Sequence, residues 1–333
     1  MRILILGGTA FLSAEIARQA VAAGHDVTCL ARGSAAAPPA GAAWLQADRA
    51  QGKQAYAEAA GEWDAVIDVT RDPEQARHAL EVLAPTAAHW TVVSSCSVYA
   101  GHGIPGAGED APLLPPLAPG TALAAENYGE AKSAIEQHAI TLAGPKAHLC
   151  RAGLIGGPGD GSDRYGYWPA RFSRDDSQAL VPDVGGSATQ VIDVRDLAAW
   201  ILKAAGQRVT GALNAVGSVV PFGTYVGEAA RLAGYAGRTL AVPEDWLVAQ
   251  GVAYWAGSDS LPLWLPPDHE GFAARSNAAA LAAGLTLRPW QETLRDTLDD
   301  ERSRGLGRDR KAGLGAATER RLVDAFRAAA SQE

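Results

Sequence analysis

The stretch Arg2-Ile3-Leu4-Ile5-Leu6 runs into Gly7-Gly8-Thr9-Ala10-Phe11-Leu12-Ser13, and helical spacing follows at once from Ala14 to Ala23. A strand entering a helix through a glycine-rich turn constrains the fold strongly, because it gathers backbone N–H groups at a helix N-terminus. The alternation continues, with strand-like runs at 26–30, 65–69 and 89–94 and helical spacing from Pro73 to Leu83. Strands alternating with helices build βαβ units and a parallel sheet. The runs are continuously apolar, as expected where helices cover both sheet faces.

That texture defines an α/β class with a Rossmann-type doubly wound parallel sheet, and it stops near residue 155. Gly156-Gly157-Pro158-Gly159-Asp160-Gly161 reads as loop, and beyond it aromatic residues gather, among them Tyr165, Trp168, Trp255, Trp264, Phe272 and Trp290. Trp and Tyr at such spacing are most simply core, although they also suit an apolar or ring-containing ligand. Two later segments, 190–202 and 211–216, keep the strand and helix texture. The predicted organisation is a dinucleotide-binding domain from 1–155 plus about 188–217. A smaller, discontinuous substrate-binding domain takes about 156–187 plus 218–333. The spacing further predicts a surface loop over 100–121 carrying Glu109-Asp110, a helix over 124–142 and a strand over 148–154. A last helix, over 318–329, turns Arg320-Arg321 to solvent.

Composition narrows the function classes. With 47% apolar residues, 20% charged residues and a net charge of -8, the chain suits neither a disordered segment nor a nucleic-acid binder with a broad basic face. The N-terminal apolar run is too short for a signal peptide and no stretch suits a bilayer span, so a cytoplasmic protein without membrane partners is expected. Cys29, Cys96 and Cys150 are odd in number and widely spaced, which predicts reduced core thiols and no metal site. Gly52-Lys53 is followed by Gln54, so a phosphate-loop lysine motif is missing.

Two motifs carry chemistry. The turn after the first strand places Gly7, Thr9, Ala10, Phe11 and Leu12 where backbone amides would approach a dinucleotide pyrophosphate. After the second strand the sequence Leu30-Ala31-Arg32-Gly33-Ser34 offers no carboxylate for a ribose. Arg32 and Ser34 would instead grip a 2′-phosphate, predicting NADP with NAD as the alternative; the plainer reading of Arg32 is an exposed loop arginine. The second motif is Tyr128-Gly129-Glu130-Ala131-Lys132, whose four-residue spacing sets both side chains on one helix face. An ammonium beside a phenol would lower the tyrosine pKa and make Tyr128 a general acid or base.

Together with Ser94-Ser95-Cys96-Ser97-Val98-Tyr99, Cys150-Arg151-Ala152-Gly153-Leu154-Ile155 and Gln190-Val191-Ile192-Asp193, these segments resemble the extended (atypical) short-chain dehydrogenases/reductases, the epimerase/dehydratase-like family. Of that family's three turn glycines only Gly7 is kept, Ala10 and Ser13 standing in the other two places. The resemblance implies a catalytic set of Ser95, Tyr128 and Lys132, with Ser95 preferred over Ser97 as the hydroxyl on the substrate oxygen. It puts Lys132 on the nicotinamide ribose, Asp48 at the adenine, and Val69, Thr70 and Arg71 on the floor of the cofactor site. Ser94 would touch the cofactor, and Leu154 and Ile155 would pass beside the nicotinamide.

The activity expected is that of a carbonyl reductase or alcohol dehydrogenase on a small molecule. Cys96-Ser97 replaces the Asp-Glu pair of the family's dehydratases, and Leu154 replaces the asparagine of its sugar-nucleotide epimerases. Epimerase chemistry stays open, as does a non-catalytic cofactor sensor that has lost turnover. A homodimer through the Tyr128 helix and the Pro73–Leu83 helix is implied as well. His102, alone in a Gly/Pro loop, reads as solvated.

Overall fold

The computed structural model describes residues 1–34 and 36–331. In chain order, β1 (Arg2–Leu6), α1 (Phe11–Ala22), β2 (Asp26–Ala31), β3 (Ala43–Gln46), β4 (Ala65–Asp68), α2 (Pro73–Leu83), β5 (Trp90–Ser95), α3 (Tyr128–Leu142) and β6 (Ala147–Ala152) form the first half. There follow β7 (Leu154–Gly156), α4 (Tyr167–Arg174), β8 (Ala179–Pro182), β9 (Ala188–Asp193), α5 (Val194–Gln207) and β10 (Gly211–Ala215). The chain continues through β11 (Val219–Pro221), α6 (Phe222–Ala233), β12 (Thr239–Val242), α7 (Glu244–Ala249), α8 (Ala278–Ala282), α9 (Trp290–Arg304) and α10 (Ala316–Ala330).

Among the described residues seven strands form one sheet in the order β10-β6-β5-β4-β1-β2-β3, with every neighbouring pair parallel. The order reverses between β1 and β4, and at such a switch point the C-terminal ends of the strands leave an open crevice. Side-chain alternation along β1 explains how the sheet is covered. Ile3 and Ile5 pack with Ile16 of α1 and Leu197 and Trp200 of α5. Leu4 and Leu6 pack with Leu80 of α2 and Ile135 of α3 on the other face.

A third core holds most of the aromatic second half: Tyr165, Tyr167, Trp168, Phe172, Phe222, Tyr225 and Trp264 are buried together. It packs beside a small sheet in which β9 lies between β7 and β11. The predicted strand over 148–154 therefore divides at Gly153, because its last part leaves the large sheet and pairs with β9. Ala280 and Leu285, expected with the substrate-binding segments, lie instead in the core between the large sheet, α1 and α5. Here Asn277 donates to the Val216 carbonyl at 2.9 Å and Arg288 reaches Asp196.

Three smaller expectations are corrected. The Tyr128 helix begins at Tyr128, not Ala124, because the Asn127 side chain is spent on a turn, accepting from Ala124 N and donating to the Ala122 carbonyl, each at 2.9 Å. Glu109, read as a surface carboxylate, accepts from Asn214 N at 2.8 Å. His102 is not simply solvated: it meets the Arg275 guanidinium at 3.1 Å and the Phe272 ring edge-on, and burial pushes its pKa down to about 4. All three cysteines are buried and unpaired, and Arg320 and Arg321 are exposed. No helix among the described residues is long and apolar enough to cross a membrane.

Candidate active site

The glycine turn sits at the switch point. Gly8 has φ 95, a conformation open mainly to glycine, and a Cβ there would collide with Cys29 on β2. Ser13, in the third glycine's place, fits because its hydroxyl turns back to the Ala10 carbonyl at 2.9 Å and Gly7 beside it lacks a Cβ. Ala10 caps α1 without a side-chain hydrogen bond, which leaves N–H groups of the first turn unsatisfied, as an anion site requires.

Gly7, Thr9, Ala10, Arg32, Ser34, Asp48, Val69 and Thr70 line one cleft of about 290 Å³. Arg32 and Ser34 are exposed at its rim, and Asp48 also caps the short helix that follows it by accepting from Ala50 N at 3.0 Å. Phe11 is half-buried, while the Leu12 side chain lies in the core under the turn. The composition of this lining fits a dinucleotide: a helix N-terminus for the pyrophosphate, with a cation and a hydroxyl beside a carboxylate at the nucleoside end.

Sequence reasoning missed the residues beneath the cleft. Arg49 forms a paired hydrogen bond with Asp68 at 2.8 and 2.9 Å and also donates to Tyr56 and the Gln75 carbonyl. Asp68 accepts from Thr70 N at 3.0 Å, so this buried pair fixes the loop after β4. The signal was adjacency alone: Arg49 follows Asp48.

The three proposed catalytic side chains converge from two elements. Gly129 lets α3 approach closely, since a Cβ there would collide with the Ser97 carbonyl and Leu114. Tyr128 thereby meets Ser95, whose hydroxyl accepts from Ser97 N and donates to Ser97 Oγ, both at 3.1 Å. Ser97 thus orients Ser95. Lys132 is buried, donating to the Thr70 and Val93 carbonyls at 2.6 and 2.7 Å, with Nζ 5.9 Å from the Tyr128 ring centroid.

The expected electrostatics are corrected here. Burial pushes the Tyr128 phenol up, and the charges drawing it down are those of Arg71 and Arg164, together with the Ser95 hydroxyl. Burial brings Lys132 itself down to about 8, with Asp68 opposing. Its ammonium is held by carbonyls under the strand ends and acts as a post between β4 and β5.

Ser94, expected at the cofactor, is buried and donates to Glu136 at 2.5 Å. Glu136 pairs with Arg151, which in turn donates to Tyr99. Leu154 lines a second, narrow cavity with Trp255, Leu263, Phe272 and Ala273. Its polar lining residues are both committed, Thr189 to the Val220 carbonyl and Gln190 to the Gly217 and Arg275 carbonyls. Ile155 is half-buried at the edge of the core that includes α1 and α5. Among the described residues no group of three His, Cys, Asp or Glu side chains is placed to hold a metal ion.

No protein-family model matches the sequence, and no curated protein matches it. Solved structures do match. A proposed epimerase from Burkholderia cenocepacia J2315 aligns over 91% of this chain and 98% of its own, with TM-score 0.70 and 20% identity. The UDP-glucose 4-epimerase of Thermus thermophilus, in complex with NAD, aligns over 91% and 99%, with TM-score 0.64 and 19% identity. For the Bacillus cereus UDP-glucuronic acid 4-epimerase, also with NAD, the coverage is 91% and 99%, the TM-score 0.64 and the identity 13%. The chain shares the fold of these epimerases.

Proposed function

We propose that this protein is a nicotinamide-dependent oxidoreductase that interconverts an alcohol and a carbonyl on a small substrate. The observation that carries the reading is the meeting of Ser95 and Tyr128 above a buried Lys132, at the carboxyl ends of β4 and β5 next to the cleft that opens on the glycine turn. Bound cofactor would supply or accept the hydride. Ser95 orients the substrate oxygen, Tyr128 gives or takes its proton, and Arg71 and Arg164 favour the phenolate against burial. Thr9, Ala10 and the N-terminus of α1 would hold the pyrophosphate, and Arg32 with Ser34 would favour the phosphorylated cofactor, NADP.

The alternative of a sugar-nucleotide epimerase draws on the proteins that share the fold. Net oxidoreduction is preferred because Leu154 stands where the resemblance expects the asparagine of the sugar-nucleotide epimerases.

The test combines titration of purified protein with NADPH and NADH and substitution of Tyr128 by Phe. The variant is expected to bind cofactor as the parent does and to lose at least 100-fold in turnover, the scale of general acid–base catalysis, roughly 10²–10⁴. Unchanged turnover would remove Tyr128 from the mechanism. Failure of both cofactors to bind would end the oxidoreductase reading.

A further inference from the structure

Beside the Tyr128 site and the cavity walled by Trp255 stands a cation, Arg164, with which no carboxylate among the described residues forms an ion pair. Arg164 is partly buried, and among the described residues its guanidinium makes no side-chain hydrogen bond or ion pair. Of the two carboxylates in its loop, Asp163 is taken by Arg308 and Lys311 N, and Asp160, whose charge favours the guanidinium without forming an ion pair, is buried and already accepts from Ser162 N and Ser162 Oγ at 2.8 and 2.9 Å. A guanidinium carries five donors and stays charged, so in a half-dry site it offers strong paired hydrogen bonds to an anionic acceptor that enters from solvent.

The surroundings hold Arg164 in place without satisfying it. Its charged end lies 5.0 Å from the Trp255 ring centroid, and Trp255 is itself held at φ 66. A bulky residue in the left-handed region marks a conformation that the surroundings enforce. The preceding residue, Asp163, has φ 61 and is clamped by Arg308 and by Lys311 N at 2.9 Å. Arg304 holds the Asp160 carbonyl at 2.9 Å. The loop 160–164 is thus braced from behind, and the arginine is braced by an aromatic face. A second guanidinium, on Arg71, bears on the same phenol from the cofactor side.

We propose that Arg164 is an anion-binding specificity residue, and that the substrate carries a carboxylate close to the carbon whose oxygen meets Ser95 and Tyr128. One face of the guanidinium is taken by Trp255, which leaves its planar edge for an acceptor, and a carboxylate matches that edge with two parallel hydrogen bonds. The inference rests on the oxidoreductase reading for the position of the reacting carbon. The anion site itself does not depend on cofactor.

The experiment is a tryptophan-fluorescence titration of the full-length protein, without cofactor, using acetate, benzoate and cyclohexanecarboxylate against their amides, with inorganic phosphate as a further probe. At least one acid is expected to saturate and to bind 10-fold or more tightly than its amide. Arg164→Gln is expected to erase that difference, Arg164→Lys to keep part of it, and both variants to bind NADPH or NADH as the parent does. Amides binding as well as acids, no saturation by any acid, tighter binding of phosphate, or an undiminished preference in Arg164→Gln would each overturn the proposal. Loss of cofactor binding in the parent, with the acid preference intact, would instead remove the oxidoreductase reading and leave the anion site standing.

Discussion

At the scale of single residues, the candidate site depends on which side chains are left without a protein partner. Ser94 and Ser95 are neighbours in sequence, yet Ser94 is spent on Glu136 while Ser95 faces Tyr128. That difference follows from strand alternation, which turns consecutive side chains to opposite faces, and no hydroxyl count reveals it. Arg32 is exposed at the cleft rim and forms no ion pair among the described residues. Arg32→Ser is expected to weaken NADPH binding about 10-fold or more while changing NADH binding less than 2-fold, on the scale of one charged phosphate contact of about 1.5–3 kcal/mol. Equal losses for both cofactors would show that Arg32 does not contact a 2′-phosphate. Lys132 was legible as part of a motif, but its role was not. The spacing predicts an ammonium near a phenol, whereas burial between two strand ends turns the ammonium toward the Thr70 and Val93 carbonyls.

At the scale of elements, close approach and burial are the constraints. Gly129→Ala would force α3 away from the Ser97 carbonyl. It is expected to cost about 1–3 kcal/mol of stability as an overpacked contact, and to reduce turnover more than cofactor affinity, because Tyr128 moves with the helix. Denaturant melts beside kinetics would decide it; a variant with parental turnover would mean that the contact does not position Tyr128. On β6, His148 is fully buried against Trp200, and burial brings its pKa down to about 3. A histidine whose folded pKa lies below its unfolded value of about 6.5 is kept neutral by folding. Stability therefore falls as pH drops below 6.5 and levels off near 3. His148→Leu is expected to flatten that acid limb by roughly 2–5 kcal/mol at pH 4 relative to its own value at pH 7, as read by urea titration. An acid limb as steep as the parent's would show that His148 titrates normally.

At the scale of the whole molecule, the cleft at the strand-order reversal couples folding to ligand. Cofactor at 100 times its dissociation constant is expected to add about 2.7 kcal/mol and raise Tm by several degrees; an unmoved Tm at millimolar NADPH and NADH would count against the cleft. We also propose a homodimer through α2 and α3, where Ile140 and Leu142 of α3 lie exposed at 52% and 38%. Sedimentation at micromolar concentration would show about twice the chain mass, and a monomer would refute it. The sequence by itself determined the α/β order, the glycine turn on the first helix, the Tyr128–Lys132 spacing and the fifth-strand serines, because these are local patterns in which chain distance sets spatial distance. Only the tertiary structure decided that Arg49 and Asp68 lock the cleft floor, that Ala280 and Leu285 join the first core, and that Arg164 stands on Trp255 beside Tyr128. Those partners lie far apart along the chain or on different elements. Their meeting is set by how the helices and loops pack around the sheet, and by which buried charges find a partner there.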